Sequence, residues 1–234
     1  MNAVCAGDQD MWQQAVTTVS QPAAGLALAR FRVRTLAAAR KIALQFGYDG
    51  ALYPWQSSGI NGFQAQAPDA WSGGQVEEHI TPDVAIGVWE SARITGDDDF
   101  GRHEAWPVLR DVARWVMSRG SFTARGFEVR LTSGPDEWEI GVDNDSYMNM
   151  ACAKALEAAL AAARRYGLGS EPEKESWQAA RDTFFYPYSI GKPTTLLSSE
   201  GAPCNGPGSP DHLVCNRSNY VRFTTSRVVA LCWH

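Results

Sequence analysis

The sequence predicts an all-α protein built from stacked helical hairpins. Three observations carry that reading. Apolar residues recur at helical spacing in five separate stretches, glycines stop most of those stretches, and long and short connections alternate between them. A chain of 234 residues is long enough for one domain with a sizeable core. Its 44% hydrophobic and 20% charged residues are ordinary for a globular protein and exclude general disorder.

Residues 1–25 are polar, include Gln21-Pro22, and read as a weakly structured leader. From Leu26 to Phe46 the apolar positions Leu28, Phe31, Val33, Leu36, Ala39, Ile42, Ala43 and Phe46 predict a first helix, stopped by Gly47. Tyr48 to Gly74 is rich in Gly, Ser, Gln and Pro and carries Trp55 and Trp71, a length of loop that usually serves a function. Gln75 to Ile94 predicts a second helix, ended by Gly96. Asp97-Asp98-Asp99 opens a third, which runs through Trp106, Leu109, Val112, Ala113 and Val116 to about Gly120. Phe127-Glu128-Val129-Arg130-Leu131 alternates like a short strand. A fourth helix spans Ser146 to Tyr166, before Gly167, and a fifth runs from Glu173 to Phe185, before Pro187. Residues 26–190 therefore form the folded unit. Residues 191–234 are a breaker-rich, irregular tail in which only Val228-Val229-Ala230-Leu231 reads as a short strand.

The net charge of −5 gives no electrostatic footprint for nucleic acid. No stretch approaches the ~20 apolar residues of a membrane span. The start, Met1-Asn2-Ala3-Val4-Cys5, lacks a basic flank and a long apolar run, so no secretory signal is read and a cytoplasmic location is expected. Cys5, Cys152, Cys204, Cys215 and Cys232 are scattered without CxxC spacing, which supports neither a disulfide framework nor a zinc site. Oligomeric state has no signal in the sequence.

The chemistry concentrates in Ser133-Gly134-Pro135-Asp136-Glu137-Trp138, followed by Val142-Asp143-Asn144. A Gly-Pro turn holds an acid at a fixed place, and an acid held against an indole is partly desolvated, which favours its protonated form. A glycosidase needs that state in its general acid. An ordinary solvated acidic turn is the plainer alternative from these residues alone.

The wider pattern is specific. Arg34-Thr35-Leu36, Gly47-Tyr48-Asp49-Gly50-Ala51-Leu52-Tyr53-Pro54-Trp55-Gln56-Ser57, Glu78-His79-Ile80-Thr81-Pro82-Asp83, Thr95-Gly96-Asp97, Ala113-Arg114-Trp115 with Ser118-Arg119, and Gly134-Pro135-Asp136-Glu137 follow one another in a fixed order. Together they resemble glycoside hydrolase family 65, which contains disaccharide phosphorylases, acid trehalases and related α-glucosidases. The resemblance implies an (α/α)6 barrel with its active site at the loop-rich end. Such a barrel needs about twelve helices, so the five read here imply an incomplete, truncated one.

The resemblance also implies a reaction: inverting hydrolysis or phosphorolysis of an α-glucosidic bond in a disaccharide or glucosylated acceptor. Glu137 matches the general acid. Asp136 beside it is expected to support the turn and the substrate pocket. Trp55 is expected to stack on the sugar and Gln56 to make a polar contact. His79 and Asp83, spaced i, i+4, suit metal ligands, but no third ligand follows and the family needs no metal. His79 is therefore expected to hydrogen-bond on the substrate side or to pack at the start of its helix. Asn144, Asn149 and Asp143 are candidate caps for the fourth helix. No cofactor is expected beyond inorganic phosphate as co-substrate of a phosphorylase, and the expected partner is an α-glucoside. The base or phosphate site belongs downstream of the matched region. Tail carboxylates such as Glu200 and Asp211 have nothing in the sequence to position them. The competing class is a non-catalytic truncated barrel that at most binds sugar or a partner chain, and a helical-repeat scaffold is disfavoured by the lack of a repeat.

Overall fold

The computed structural model describes residues 4–6, 9–65, 77–135, 140–189, 192–196 and 199–200. Six α-helices dominate them: α1 (Gln14–Ser20), α2 (Pro22–Gln45), α3 (Ile80–Thr95), α4 (Trp106–Arg119), α5 (Ser146–Tyr166) and α6 (Glu171–Thr183). Each odd helix packs on the even helix that follows it. The three hairpins stand side by side, with α1, α3 and α5 forming one row and α2, α4 and α6 a second row behind it. The core lies between the rows and includes Leu36, Ile42, Val84, Val88, Leu109, Trp115, Leu156 and Trp177.

The connections inside hairpins are short, at Gln21, around Gly96 and at Gly167–Ser170, whereas the links from α2 to α3 and from α4 to α5 are long. All long links therefore emerge at one end, where α3 and α5 begin. Gly96 and Gly167 end α3 and α5 in the left-handed conformation that glycine adopts without steric cost. Helix α6 opens on a capping box made by Ser170 and Glu173.

Helix α1 corrects the reading of the leader as weakly structured. A π turn over Gln9–Gln13 leads into it. Its buried positions are Gln14 and Thr18, not apolar residues. Gln14 Nε2 donates to Ser91 Oγ at 2.9 Å, and Thr18 Oγ1 lies 3.2 Å from the same hydroxyl. Gly25 and Gly87 leave the room: a Cβ at Gly25 would sit 2.3 Å from Thr18 Oγ1. A polar, glycine-recessed contact leaves no apolar period to detect.

Two other boundaries differ for reasons that lie in proline. Helix α3 begins at Ile80 rather than Gln75, with Pro82, which has no N–H to donate, in its first turn. The third predicted helix is interrupted by a π turn at Phe100–Ala105, just before Pro107 removes a helical donor. The predicted strand is instead a two-stranded hairpin, β3 (Ser121–Thr123) with β4 (Gly126–Glu128). Two further pairs, β1 (Val4–Ala6) with β2 (Gln56–Ser58) and β5 (Tyr188–Ser189) with β6 (Lys192–Leu196), complete the described strands. The tail thus begins in a strand, not in irregular chain.

Candidate active site

The link between α4 and α5 carries the Gly-Pro-Asp-Glu motif. Asp136 and Glu137, with Trp138, lie outside the described residues, but both ends of their loop are placed. One rung closes it: Thr132 N donates to Val142 O at 3.0 Å, and Val142 N returns to Thr132 O at 2.9 Å. Thr132, Ser133 and Gly134 are buried. At Gly134 a Cβ would meet Asp145 Oδ1 at 2.4 Å, so a larger residue there would displace that carboxylate.

Beyond the rung, Asn144 has a φ of 52° and is buried. Its Nδ2 donates to Glu128 Oε2 and to Glu200 Oε2, each at 2.8 Å. Asn149 Nδ2 donates to Asn144 Oδ1 at 3.2 Å and to Phe185 O at 2.8 Å. Asn144 and Asn149 therefore brace the loop and do not cap α5. The cap is Asp145, whose Oδ1 accepts from Met148 N at 2.7 Å. Asp143 serves the loop too, accepting from Leu131 N at 3.0 Å.

Glu128 is the buried centre of this brace. Arg125, Arg130, Thr123 and Asn144 all donate to it. Burial alone would raise its pKa, but these hydrogen bonds and the Arg125 charge outweigh it and hold the carboxyl down at about 2. Glu200, which the sequence left unpositioned, joins the same cluster. Its N–H donates to Asp143 O at 2.8 Å, and Arg125 and Asn144 engage its carboxylate. Both Glu200 oxygens are occupied and its pKa is lowered, chiefly by Arg125. Glu200 ties the tail to the loop. Asp211 lies outside the described residues.

The start of α3 is the second component. His79 is buried, with Nε2 2.9 Å from Glu77 Oε1 and Nδ1 2.8 Å from Asp83 Oδ2. Burial opposes its charge, but the hydrogen bonds to Asp83 and Glu77 prevail and lift its pKa to about 9. The ring is thus an imidazolium between two carboxylates at neutral pH. Tyr147, on the first turn of α5, donates to Asp83 Oδ1 at 3.0 Å and meets the imidazole edge-on. Among the described residues no group of three or more His, Cys, Asp or Glu side chains is arranged to hold a metal ion.

Trp55 and Gln56 reach the same end. Tyr53 N donates to Thr81 Oγ1 at 2.9 Å, and Leu52 N to Ala39 O at 3.0 Å, so the loop after α2 is pinned to the first turn of α3 and back onto α2 itself. Trp55 is half-buried against the core, and Gln56 is half-buried at the start of β2. Behind them, buried Arg32 donates to Asp10 and to Ser57 Oγ at 2.7 Å. The third tie is Arg119, the last residue of α4. It donates to Glu78 Oε2 at 2.7 Å and to the carbonyls of Arg130 and Leu131 at 2.8 and 3.1 Å.

The structure thus brings Trp55, Gln56, His79 and both ends of the loop that carries Asp136 and Glu137 to one end of the hairpins. Sequence reasoning missed Glu77, Tyr147, Glu78, Arg119 and Glu128 as parts of that end. The run Glu77-Glu78-His79 immediately before an apolar helix was the available signal, because charges there need partners when the helix start is buried.

Comparison with known proteins agrees. Residues 7–193 match the glycosyl hydrolase family 65 central catalytic domain. The chain belongs to glycosyl hydrolase family 65. The matched region takes in the polar leader and extends the likeness read from the motifs at both ends. A kojibiose hydrolase of Flavobacterium johnsoniae is 32% identical over 153 residues, 65% of this chain and 22% of that protein. A kojibiose phosphorylase of Thermoanaerobacter brockii is 32% identical over 197 residues, covering 73% of this chain and 25% of its own. The mouse (Mus musculus) protein-glucosylgalactosylhydroxylysine glucosidase is 30% identical over 184 residues, 77% of this chain and 26% of its own. The chain therefore spans about a quarter of the curated relatives it matches. A solved structure of a proposed kojibiose phosphorylase from human microbiome superimposes with a TM-score of 0.72 at 18% identity, over 85% of this chain and 27% of that one. The family 65 fold is an (α/α)6 barrel, and the three hairpins described here are part of one.

Proposed function

We propose that this chain supplies the general acid and part of the sugar pocket of a family 65 enzyme that cleaves an α-glucosidic bond. In this reading Glu137 protonates the glycosidic oxygen while a water or phosphate attacks the anomeric carbon from the opposite face. Trp55 stacks on the non-reducing sugar, Gln56 contacts its hydroxyls, and Asp136 steadies the turn. Both ring nitrogens of His79 are taken, so its part is to hold Glu77 and Asp83 in place behind the sugar. The observation that supports the reading is the braced loop: its rung is fixed at Thr132 and Val142, and Gly134-Pro135-Asp136-Glu137, the run that resembles the family's acid motif, lies between them.

Kojibiose is the first substrate to try, since kojibiose-cleaving relatives of both kinds share the matched region. Hydrolysis and phosphorolysis both fit the acid half of the site. Phosphate, if used, enters as co-substrate. Glu137→Gln, made in a chain that carries six hairpins, is the test. An amide cannot donate the proton, so turnover of kojibiose is expected to fall by about 10²–10⁴-fold with helix content unchanged. Near-normal turnover would refute the assignment of the acid. Running the assay with and without phosphate then separates glucose from glucose phosphate as product.

A further inference from the structure

We propose that Arg119 is the positioning residue of the acid loop, fixing the backbone where the loop departs and tying it to the start of α3. The proposal rests on the reading of Glu137 as the acid.

Among the described residues the loop is closed by the Thr132–Val142 rung, with Asn144 N donating to Val129 O at 2.9 Å just outside it. Leu131, just before that rung, has a φ of 52°, a left-handed conformation that a branched side chain rarely adopts. Its side chain is 70% exposed, so burial does not hold it there. Hydrogen bonds do. Asp143 Oδ1 accepts from the Leu131 N–H, and Arg119 Nη2 donates to the Leu131 carbonyl and to that of Arg130.

The same guanidinium turns its Nε to Glu78 Oε2, and Thr132 Oγ1 lies 3.5 Å from that oxygen. The pair is largely withdrawn from water, with side-chain exposures of 9% for Arg119 and 11% for Glu78. Glu78 sits between Glu77 and His79, so one side chain joins the end of α4, the start of α3 and the departure of the acid loop. Two nitrogens of one planar fork serve the three acceptors, Nε the Glu78 carboxylate and Nη2 the two carbonyls. A lysine ammonium carries enough donors, but it is a single point on a flexible stem and lacks that fixed spread.

The test is amide hydrogen exchange on the 234-residue chain. Arg119→Gln is expected to speed exchange at Thr132 and Val142 by about ten-fold or more, leaving the amides of α2 and α5 unchanged. Arg119→Lys, which keeps the charge without the fork, is expected to fall between that variant and the wild type. Unchanged loop exchange in Arg119→Gln, or full protection in Arg119→Lys, would overturn the proposal. Should Arg119→Gln also loosen the helices, Glu78→Gln decides: faster exchange confined to the loop supports the tie, and unaltered exchange refutes it. Glu137→Gln is expected to leave loop protection intact whatever it does to sugar chemistry. A wrong acid and a wrong clamp therefore give different results.

Discussion

At the scale of single residues, His79 is buried with both ring nitrogens engaged. Two carboxylates hold its ring, and they cost less to bury when the imidazole between them is charged. The folded pKa of about 9 lies above the unfolded value near 6.5. Stability from this trio is therefore fully present below about pH 6.5 and is lost as pH rises through 9. The shift corresponds to about 3 kcal/mol. Urea unfolding at pH 6 and at pH 9.5 checks it: the wild type is expected to lose stability across that window. His79→Gln, with no proton to lose, is expected to be less stable at pH 6 and nearly flat between the two. An unchanged slope in the variant would show that other groups set the pH response.

At the scale of elements, α5 depends on its first turn. Asp145 caps it through Met148 N, and the same carboxylate sits where a Cβ on Gly134 would go. Asp145→Ala is expected to cost about 1 kcal/mol, as lost caps usually do, read as a lower urea midpoint with the slope unchanged. A loss well above about 2 kcal/mol would mean that Asp145 supports the acid loop as much as the helix. Helices α2 to α6 were legible because each buries an apolar stripe, so period and glycine stops gave type and order. Helix α1 was not, since Gln14 and Thr18 make its contacts. The position of Trp55 and His79 at the loop-rich end followed from the family pattern. The brace did not: it depends on left-handed backbone at Leu131 and Asn144, and on a tail carboxylate, Glu200, brought back from 56 residues away. No local sequence period encodes such a return. Asp136 and Glu137 remain expectations from the motif, with only their flanks placed.

At the scale of the whole molecule, the described helices form three hairpins where an (α/α)6 barrel has six. Val16 and Val19 of α1, and Trp12 in the π turn before it, are 64%, 66% and 57% exposed. Exposed apolar surface of that kind promotes association in water. The expected reaction also needs a base or a phosphate site besides the acid. Proton donation alone contributes about 10²–10⁴-fold, whereas enzymes reach about 10⁶-fold and far beyond. Glu200, a carboxylate beside the Thr132–Val142 loop, is held by Arg125 at both oxygens and by Asn144 at Oε2. The 234-residue chain expressed alone is therefore expected to associate, visible as a light-scattering mass above 25.6 kDa, and to release no sugar. Incubation with kojibiose, trehalose, maltose and nigerose, with and without phosphate, provides the measurement. Glucose or glucose phosphate that vanished in Glu137→Gln would prove three hairpins sufficient and overturn the expectation. Release that persisted in Glu137→Gln would point to a contaminating glycosidase rather than to this chain.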